Sequence, residues 1–169
     1  MSALKTKSNV LFVCTGNICR SPTAEAVFRE DVRRAGLDGV VHADSAGTHG
    51  YHVGDLPDAR AMETARARGV DMSDLRARKV ENADFQRFDY IFAMDRGHHT
   101  ALSELAGRLP HHHAQLSLFL DFPHVPSVET GRDVPDPYYG SLVDFEMVYC
   151  MVEQGSTRIL REIRKRHTL

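Results

Sequence analysis

Cysteine is scarce in this chain of 169 residues: Cys14, Cys19 and Cys150 are the only three. An odd, sparse count does not suit a disulfide scaffold and points to a reducing, cytoplasmic home. Long hydrophobic runs are missing too. No stretch approaches the ~18 apolar residues that span a membrane. Met1 to Ser8, with Lys5 and Lys7, reads as an N-terminal polar tail, with no apolar run of signal-peptide length behind it. Neither sign of charge is in excess. With 21 Lys and Arg against 23 Asp and Glu, the formal charge is −2, which argues against a protein that grips nucleic acid along a basic face. Internal repeats, low-complexity segments and linkers are also lacking. The length fits about one domain, expected over residues 9–169. What is present is ordinary for a globular protein, 42% hydrophobic and 26% charged, and a chain of this size buries roughly 70% of its unfolded surface.

Strand and helix signals alternate along the chain. Val10 to Cys14 is a short apolar run that predicts a buried strand. Ser21-Pro22-Thr23 then opens a helix, with Ser21 as N-cap, Pro22 at the first helical position and Glu25 in the first turn. That helix runs to Ala35 and is closed by Gly36. Val40 to Ala43 predicts a second strand ending in an Asp44–Thr48 turn, and Asp58 to Arg68 a second helix closed by Gly69. A third strand is expected at Tyr90–Met94, a helix from about Gly97 to Ala106, and a fourth strand at Ala114–Phe119. Residues 121–140 hold four of the seven prolines, Pro123, Pro126, Pro135 and Pro137, with Gly131 and Gly140; this predicts a long functional loop. Ser141 to about Arg166 is the last helix. The alternation predicts a single α/β domain with a four-stranded parallel sheet and helices on both faces.

The informative segment is Cys14-Thr15-Gly16-Asn17-Ile18-Cys19-Arg20-Ser21. A strand delivers Cys14 to the carboxyl edge of the sheet, where open α/β folds bind ligands. The following residues curl into a helix N-terminus, so successive backbone N–H groups point into one concavity and form an anion nest. Gly16 and Asn17 suit a nest because they tolerate left-handed backbone angles. Arg20 brings a planar fork of donors matched to two oxygens of a tetrahedral oxyanion. A cysteine at a helix N-terminus beside an arginine ionises at roughly pH 3.5–7.5, and Ser21 is placed to donate a hydrogen bond to that thiolate. A thiolate under such a cradle is a nucleophile aimed at phosphorus. The plainer reading, a buried cysteine in an ordinary strand-to-helix turn, has no use for Gly16, Asn17, Arg20, Ser21 and Pro22 together. Expulsion of an alkoxide or phenoxide from phosphorus also needs a proton. Asp136, stiffened by Pro135 and Pro137, is the candidate donor.

Val13-Cys14-Thr15-Gly16-Asn17-Ile18-Cys19-Arg20-Ser21-Pro22 resembles the phosphate-binding loop of the low-molecular-weight protein tyrosine phosphatases. The likeness extends through Asp44–Thr48, His52-Val53-Gly54, Pro57-Asp58, Phe88-Asp89-Tyr90, Met94-Asp95 and Asp136–Gly140. The resemblance implies that Asp136 acts first as acid and then as the base that activates water. It also implies that Tyr51 and Tyr138 flank a slot for the phosphotyrosine ring, with Tyr139 beside them. Asn17, Ser21 and Ser45 would form a network that holds the loop in shape. Many members carry a histidine just before the segment that reads Arg76-Ala77-Arg78 here, whereas this chain has Asp74-Leu75, so one partner of Asn17 is expected to be missing or replaced. The expected substrates are phosphotyrosine proteins, with a tyrosine kinase as partner and phosphate and vanadate as competing ligands. A cytoplasmic monomer or weak dimer with no cofactor and no metal is expected.

Three rival chemistries share this kind of loop. A thioredoxin-linked arsenate reductase needs two more redox cysteines around residues 80–95, and there are none. A protein arginine phosphatase of the same family carries threonine where this chain has Ile18. A non-hydrolytic phosphocysteine carrier must not hydrolyse its intermediate, so Asp136 counts against it. Cys14 and Cys19 lie in one curled loop, which suggests redox protection through a mutual disulfide. His111-His112-His113 lacks the i, i+4 spacing of helical metal ligands and reads as a solvated loop. The basic end of the last helix reads as a capping face, and Cys150 as core.

Overall fold

The computed structural model describes residues 7–124 and 132–169. Met1 to Thr6 of the expected tail, and Pro126 and Gly131 of the expected loop, lie outside the described residues. Four strands, β1 (Ser8–Cys14), β2 (Val41–Gly47), β3 (Tyr90–Ala93) and β4 (Gln115–Leu118), form one sheet in the order β2-β1-β3-β4. Every pairing is parallel. Among the described residues five α-helices accompany them, α1 (Arg20–Arg34), α2 (Ala59–Arg66), α3 (Asp84–Arg87), α4 (Arg96–Gly107) and α5 (Leu142–His167), with a 3-10 turn at Phe119–Asp121. Among the described residues no helix is long and apolar enough to cross a membrane.

The apolar run of β1 is buried on both faces because its alternate side chains feed two cores. Val10, Phe12 and Cys14 pack with α1 and α5 through Phe28, Val148, Val152 and Ile159. Leu11 and Val13 pack on the other side with Phe85 of α3 and Leu102 and Ala106 of α4. A period-2 chain between two helical layers must be apolar throughout. The α5 helix opens with a reciprocal capping box between Ser141 and Asp144, and Gly155 in its middle leaves room for the Phe119 ring, which a Cβ would strike. Strand order places β2 on one side of β1 and β3 on the other. The chain direction of the crossovers therefore diverges at the carboxyl end of β1, where such sheets open a crevice. Cys14 is the last residue of that strand.

Several local expectations change. The segment Asp44–Gly47, expected as a turn, is the second half of β2, paired with Leu11 to Cys14. Its polar side chains are tolerated because Ser45 finds polar partners below the loop. Helix α1 starts at Arg20 with Cys19 as its N-cap residue, so Ser21 is not the cap and Glu25 is not in the first turn. The α3 turn was not expected. Cys150 falls off the stripe of Phe145, Val148, Tyr149 and Val152 and is exposed rather than core. His111 to His113 are exposed, as a solvated loop requires.

Candidate active site

The loop between β1 and α1 is held from outside by its carbonyls. Thr48 N donates to Cys14 O (2.8 Å), His49 N to Thr15 O (3.0 Å) and Asp58 N to Ile18 O (2.8 Å). The amides from Thr15 to Cys19 donate to no other group among the described residues. Unpaired N–H groups are costly when buried, so a run of five of them beside carbonyls that are tied elsewhere suits an anion. Gly47 lets β2 pass beneath this loop, since a Cβ there would sit 2.6 Å from Thr15 O.

Asn17 fixes the curl. Its φ of 57° lies in the left-handed region, which costs a non-glycine residue about 1–3 kcal/mol and is least unfavourable for Asn. The side-chain amide compensates with three bonds: Oδ1 accepts from Arg78 N (2.9 Å), and Nδ2 donates to Ser21 Oγ and Ser45 Oγ, each at 2.9 Å. Ser21 Oγ in turn lies 2.9 Å from Cys14 Sγ. With Asn17 donating into it, the serine hydroxyl has its one proton to turn toward the sulfur or toward Ala46 O, 3.3 Å away. Ser45 donates to Glu25 Oε1 (2.7 Å), and Glu25 Oε2 meets Arg29 at 2.6 Å. Both side-chain N–H donors of Asn17 and its Oδ1 thus have partners without the family histidine. Asp74, at the expected gap, is largely exposed and lies 3.5 Å from Arg29. The line from the loop ends instead on Glu25, one helical turn beyond Ser21. Burial pushes the Glu25 carboxyl up to about 7, against the pull of Arg29 and the Ser45 hydrogen bond.

Arg20 is buried and anchored on one side of its fork. Nη1 donates to Asp95 Oδ2 (2.7 Å) and Val134 O (3.0 Å), while Nη2 lies 3.7 Å from Asp136 Oδ2. Asp95 caps α4 by accepting from His98 N (2.9 Å). Burial opposes its ionisation, but that amide and Arg20 outweigh it and hold the carboxyl below the usual range. The His98 ring places Nε2 2.8 Å from Thr15 Oγ1. Nδ1 lies 3.1 Å from Asp95 Oδ1 but off the hydrogen-bond direction. Burial, with Arg20 adding to it, holds this imidazole down to about 4, so it is neutral near pH 7.

A cavity of about 340 Å³ opens above the loop, lined by Cys14, Thr15, Gly16, Ile18, Cys19 and Arg20 at its floor. Tyr51, His52, Asp136, Tyr138 and Tyr139 form its walls. Tyr51 stacks on His49 with ring centroids 5.1 Å apart, and Tyr138 meets Tyr139 edge-on at 4.9 Å. Asp136 stands at the mouth, half exposed, its Oδ1 accepting from Tyr138 N (3.2 Å). The structure therefore brings all the expected loop, acid and ring-pocket residues to one place, with Ser45 beneath. Sequence reasoning missed His52, Glu25, Arg78 and His98. Two of these had a local signal: Glu25 is i+4 from Ser21 on one helix, and His98 is i+3 from the capping Asp95. Among the described residues no cluster of His, Cys, Asp and Glu could hold a metal ion.

Glu25 and His98 give opposite pH dependences of stability. The Glu25 carboxyl titrates near 7 when folded against an ordinary 4.5, so its contribution is present below pH 4.5 and is lost as pH rises to 7. His98 titrates near 4 against an ordinary 6.5, so its contribution is present above pH 6.5 and is lost as pH falls to 4. Each amounts to about 3 kcal/mol across its window. Urea midpoints of the parent are expected to stay nearly level between pH 4.5 and 6.5. The midpoint of Glu25→Gln should climb with pH over that range, and that of His98→Asn should fall. Parallel profiles for all three proteins would contradict this assignment.

A family profile described as low molecular weight phosphotyrosine protein phosphatase matches residues 9–169. A low molecular weight protein-tyrosine-phosphatase of Streptomyces coelicolor is 45% identical over 157 residues, 92% of this chain and 93% of that protein. The crystal structure of Bacillus subtilis YfkJ superimposes with a TM-score of 0.84 at 39% identity, covering 97% of this chain and 99% of that one. The crystal structure of a Drosophila arginine phosphatase gives 0.83 at 31% identity, covering 92% and 97%. With its loop, fold and near-complete coverage in agreement, the chain belongs to the low molecular weight protein-tyrosine-phosphatase family and is a phosphoric monoester hydrolase by kind.

Proposed function

We propose that this enzyme hydrolyses phosphotyrosine in proteins through a phosphocysteine on Cys14. The observation that carries the reading is the convergence of Cys14, the unpaired amides of its loop, the anchored Arg20 and Asp136 on one cavity. The amides and the free edge of Arg20 hold the three non-bridging oxygens of the phosphoryl group, where charge is spread during transfer. The Cys14 thiolate attacks phosphorus in line with the ester oxygen. That P–O bond breaks as the S–P bond forms, and Asp136 gives its proton to the departing phenolate. In the second half the Asp136 carboxylate takes a proton from water, the water oxygen bonds phosphorus, and the sulfur leaves as a thiolate hydrogen-bonded by Ser21. Tyr51 and Tyr138 wall the slot for the aryl ring, with Tyr139 at its edge; ring pairs add ~0.5–1.5 kcal/mol beyond area burial. Residues 9–169 would constitute the phosphatase domain, working as a cytoplasmic monomer or weak dimer opposite a tyrosine kinase. Phosphate and vanadate would compete for the loop.

Cys14→Ser is expected to abolish turnover while still binding phosphate or vanadate, and full activity in it would overturn the mechanism. Asp136→Asn should lower kcat by about 10²–10⁴ for poor leaving groups and much less for activated aryl esters, which need little proton help. A uniform loss would point to a folding or binding defect.

Selectivity is assigned to Ile18 and to depth. The branched side chain narrows the mouth and favours a flat aryl ester over the guanidinium of phosphoarginine, and a serine stem is too short to lower phosphorus to Cys14. Phosphotyrosine peptides should therefore turn over far faster than phosphoserine or phosphoarginine peptides. The Drosophila arginine phosphatase shares the fold, so comparable rates on all three would reject this role for Ile18.

Cys14 and Cys19 are both buried and free, and Cys19 also lines the cavity. Burial, then the charges of Asp58, Cys14 and Asp136, push the Cys19 thiol well up, so peroxide is expected to react first at Cys14. Condensation of that sulfenic acid with Cys19 releases water and gives a disulfide that dithiols reduce. Peptide mapping after peroxide should show a Cys14–Cys19 link with Cys150 free. If Cys19→Ser recovers as completely as the parent, Cys19 is not the protecting partner.

A further inference from the structure

Among the described residues, the backbone of the turn from Pro135 to Gly140 has few ties to other elements. Its entrance is fixed where Val134 N donates to Met94 O (2.8 Å), and its exit where Ser141 opens α5. Between them Gly140 N donates to Pro137 O (2.9 Å), which closes the turn on itself. Among the described residues, the hydrogen bonds that tie the backbone of this turn to another element come from one side chain, Arg60 on α2. Nη2 donates to Tyr138 O (2.9 Å) and Nη1 reaches Gly140 O at 3.4 Å. The other edge of the same guanidinium is gripped by Asp58, through Nε to Oδ1 (3.0 Å) and Nη2 to Oδ2 (2.9 Å). Its face lies 4.5 Å from the Phe145 ring centroid and 5.8 Å from that of Tyr138.

These contacts form one continuous line between the two catalytic loops. Ile18 O accepts from Asp58 N (2.8 Å), the Asp58 carboxylate fixes Arg60, Arg60 holds Tyr138 O, and Tyr138 N donates to Asp136 Oδ1 (3.2 Å). Burial of Asp58 opposes its charge, yet the hydrogen bonds of Arg60 keep the carboxyl below its usual range, so the pair is ionised near pH 7. We propose that Arg60 is a positioning residue that holds the Asp136 carboxyl in register over the phosphate-binding loop, resting on the reading of Asp136 as the acid. It touches neither phosphate nor leaving group. Only a planar fork meets a carboxylate, two carbonyls and a ring face at once, so lysine does not replace it.

The test is the dependence of kcat on leaving group, from dinitrophenyl phosphate to phenyl phosphate, for the parent, Arg60→Gln, Arg60→Lys, Asp136→Asn and the Arg60→Gln/Asp136→Asn double variant. Inhibition by inorganic phosphate monitors the loop. Arg60→Gln and Arg60→Lys are expected to lose about tenfold or more on phenyl phosphate, part of the full acid effect, and less than about threefold on the dinitrophenyl ester. Phosphate inhibition should hold within about twofold. In the Asp136→Asn background the further Arg60→Gln change should cost less than about twofold, because two residues acting as one unit are not additive. Equal losses across leaving groups, or losses that multiply in the double variant, would overturn the proposal. A flat Asp136→Asn profile would instead remove the acid assignment and the role of Arg60 with it. A steep Asp136→Asn profile beside a flat Arg60→Gln profile would remove the role of Arg60 alone.

Discussion

Everything at this site depends on one residue held in an unfavourable conformation. Asn17 turns the chain left-handed in the middle of the loop, and its amide is clamped by Arg78, Ser21 and Ser45. The strain of about 1–3 kcal/mol is offset by three hydrogen bonds, the two to serine buried and the third partly so, each of which contributes ~0.5–1.5 kcal/mol. The same amide that holds the curl donates to the Ser21 hydroxyl, which lies 2.9 Å from Cys14 Sγ. Loop shape and sulfur environment are therefore set by one side chain. Replacing it would open the run of amides and release the serine together.

The sheet makes that strain tolerable. Cys14 ends a strand whose every side chain from Val10 to Val13 is fully buried, and parallel partners flank it on both sides. The floor of the cavity is thus part of the core. Arg20 shares this rigidity through Asp95 and Val134, and the neutral His98 completes the contact with Thr15. The acid loop is different: it stands at the mouth, its turn exposed and braced from α2. On the proposed mechanism, a nucleophile set in the core beneath an acid on an exposed turn suits a two-step reaction, in which Asp136 would serve a leaving phenol and then a water at nearly the same place.

Much of this was legible in the sequence because the chemistry is local. The strand, loop and helix around Cys14 are contiguous, so the nest, the fork of Arg20 and the position of Ser21 follow from spacing. Asp136 was legible from its flanking prolines and from the resemblance. Misreadings came where tertiary pairing overrode local preference. Asp44-Ser45-Ala46-Gly47 has the composition of a turn, yet β1 pairs it into the sheet. Ser21 has the residue type of an N-cap, yet Asn17 and Cys14 claim its hydroxyl. Glu25 was read as the acid of the first helical turn, and only the fold shows it buried beneath Ser45. The gap left by the family histidine was visible, but not what closes the network. Cys150 was misplaced because one position on a long amphipathic helix decides between core and solvent.

The central claim is that Cys14 carries the phosphoryl group between two half-reactions. The most direct measurement is rapid acid quench of the enzyme during turnover of a phosphotyrosine peptide, followed by mass spectrometry of the peptide that contains Cys14. The account predicts a transient phosphate on the Cys14 sulfur, formed before inorganic phosphate appears, absent from Cys14→Ser and decaying at the rate of turnover. Phosphate found on another residue, or an unlabelled Cys14 at full turnover with substrate saturating and hydrolysis of the intermediate rate-limiting, would contradict it.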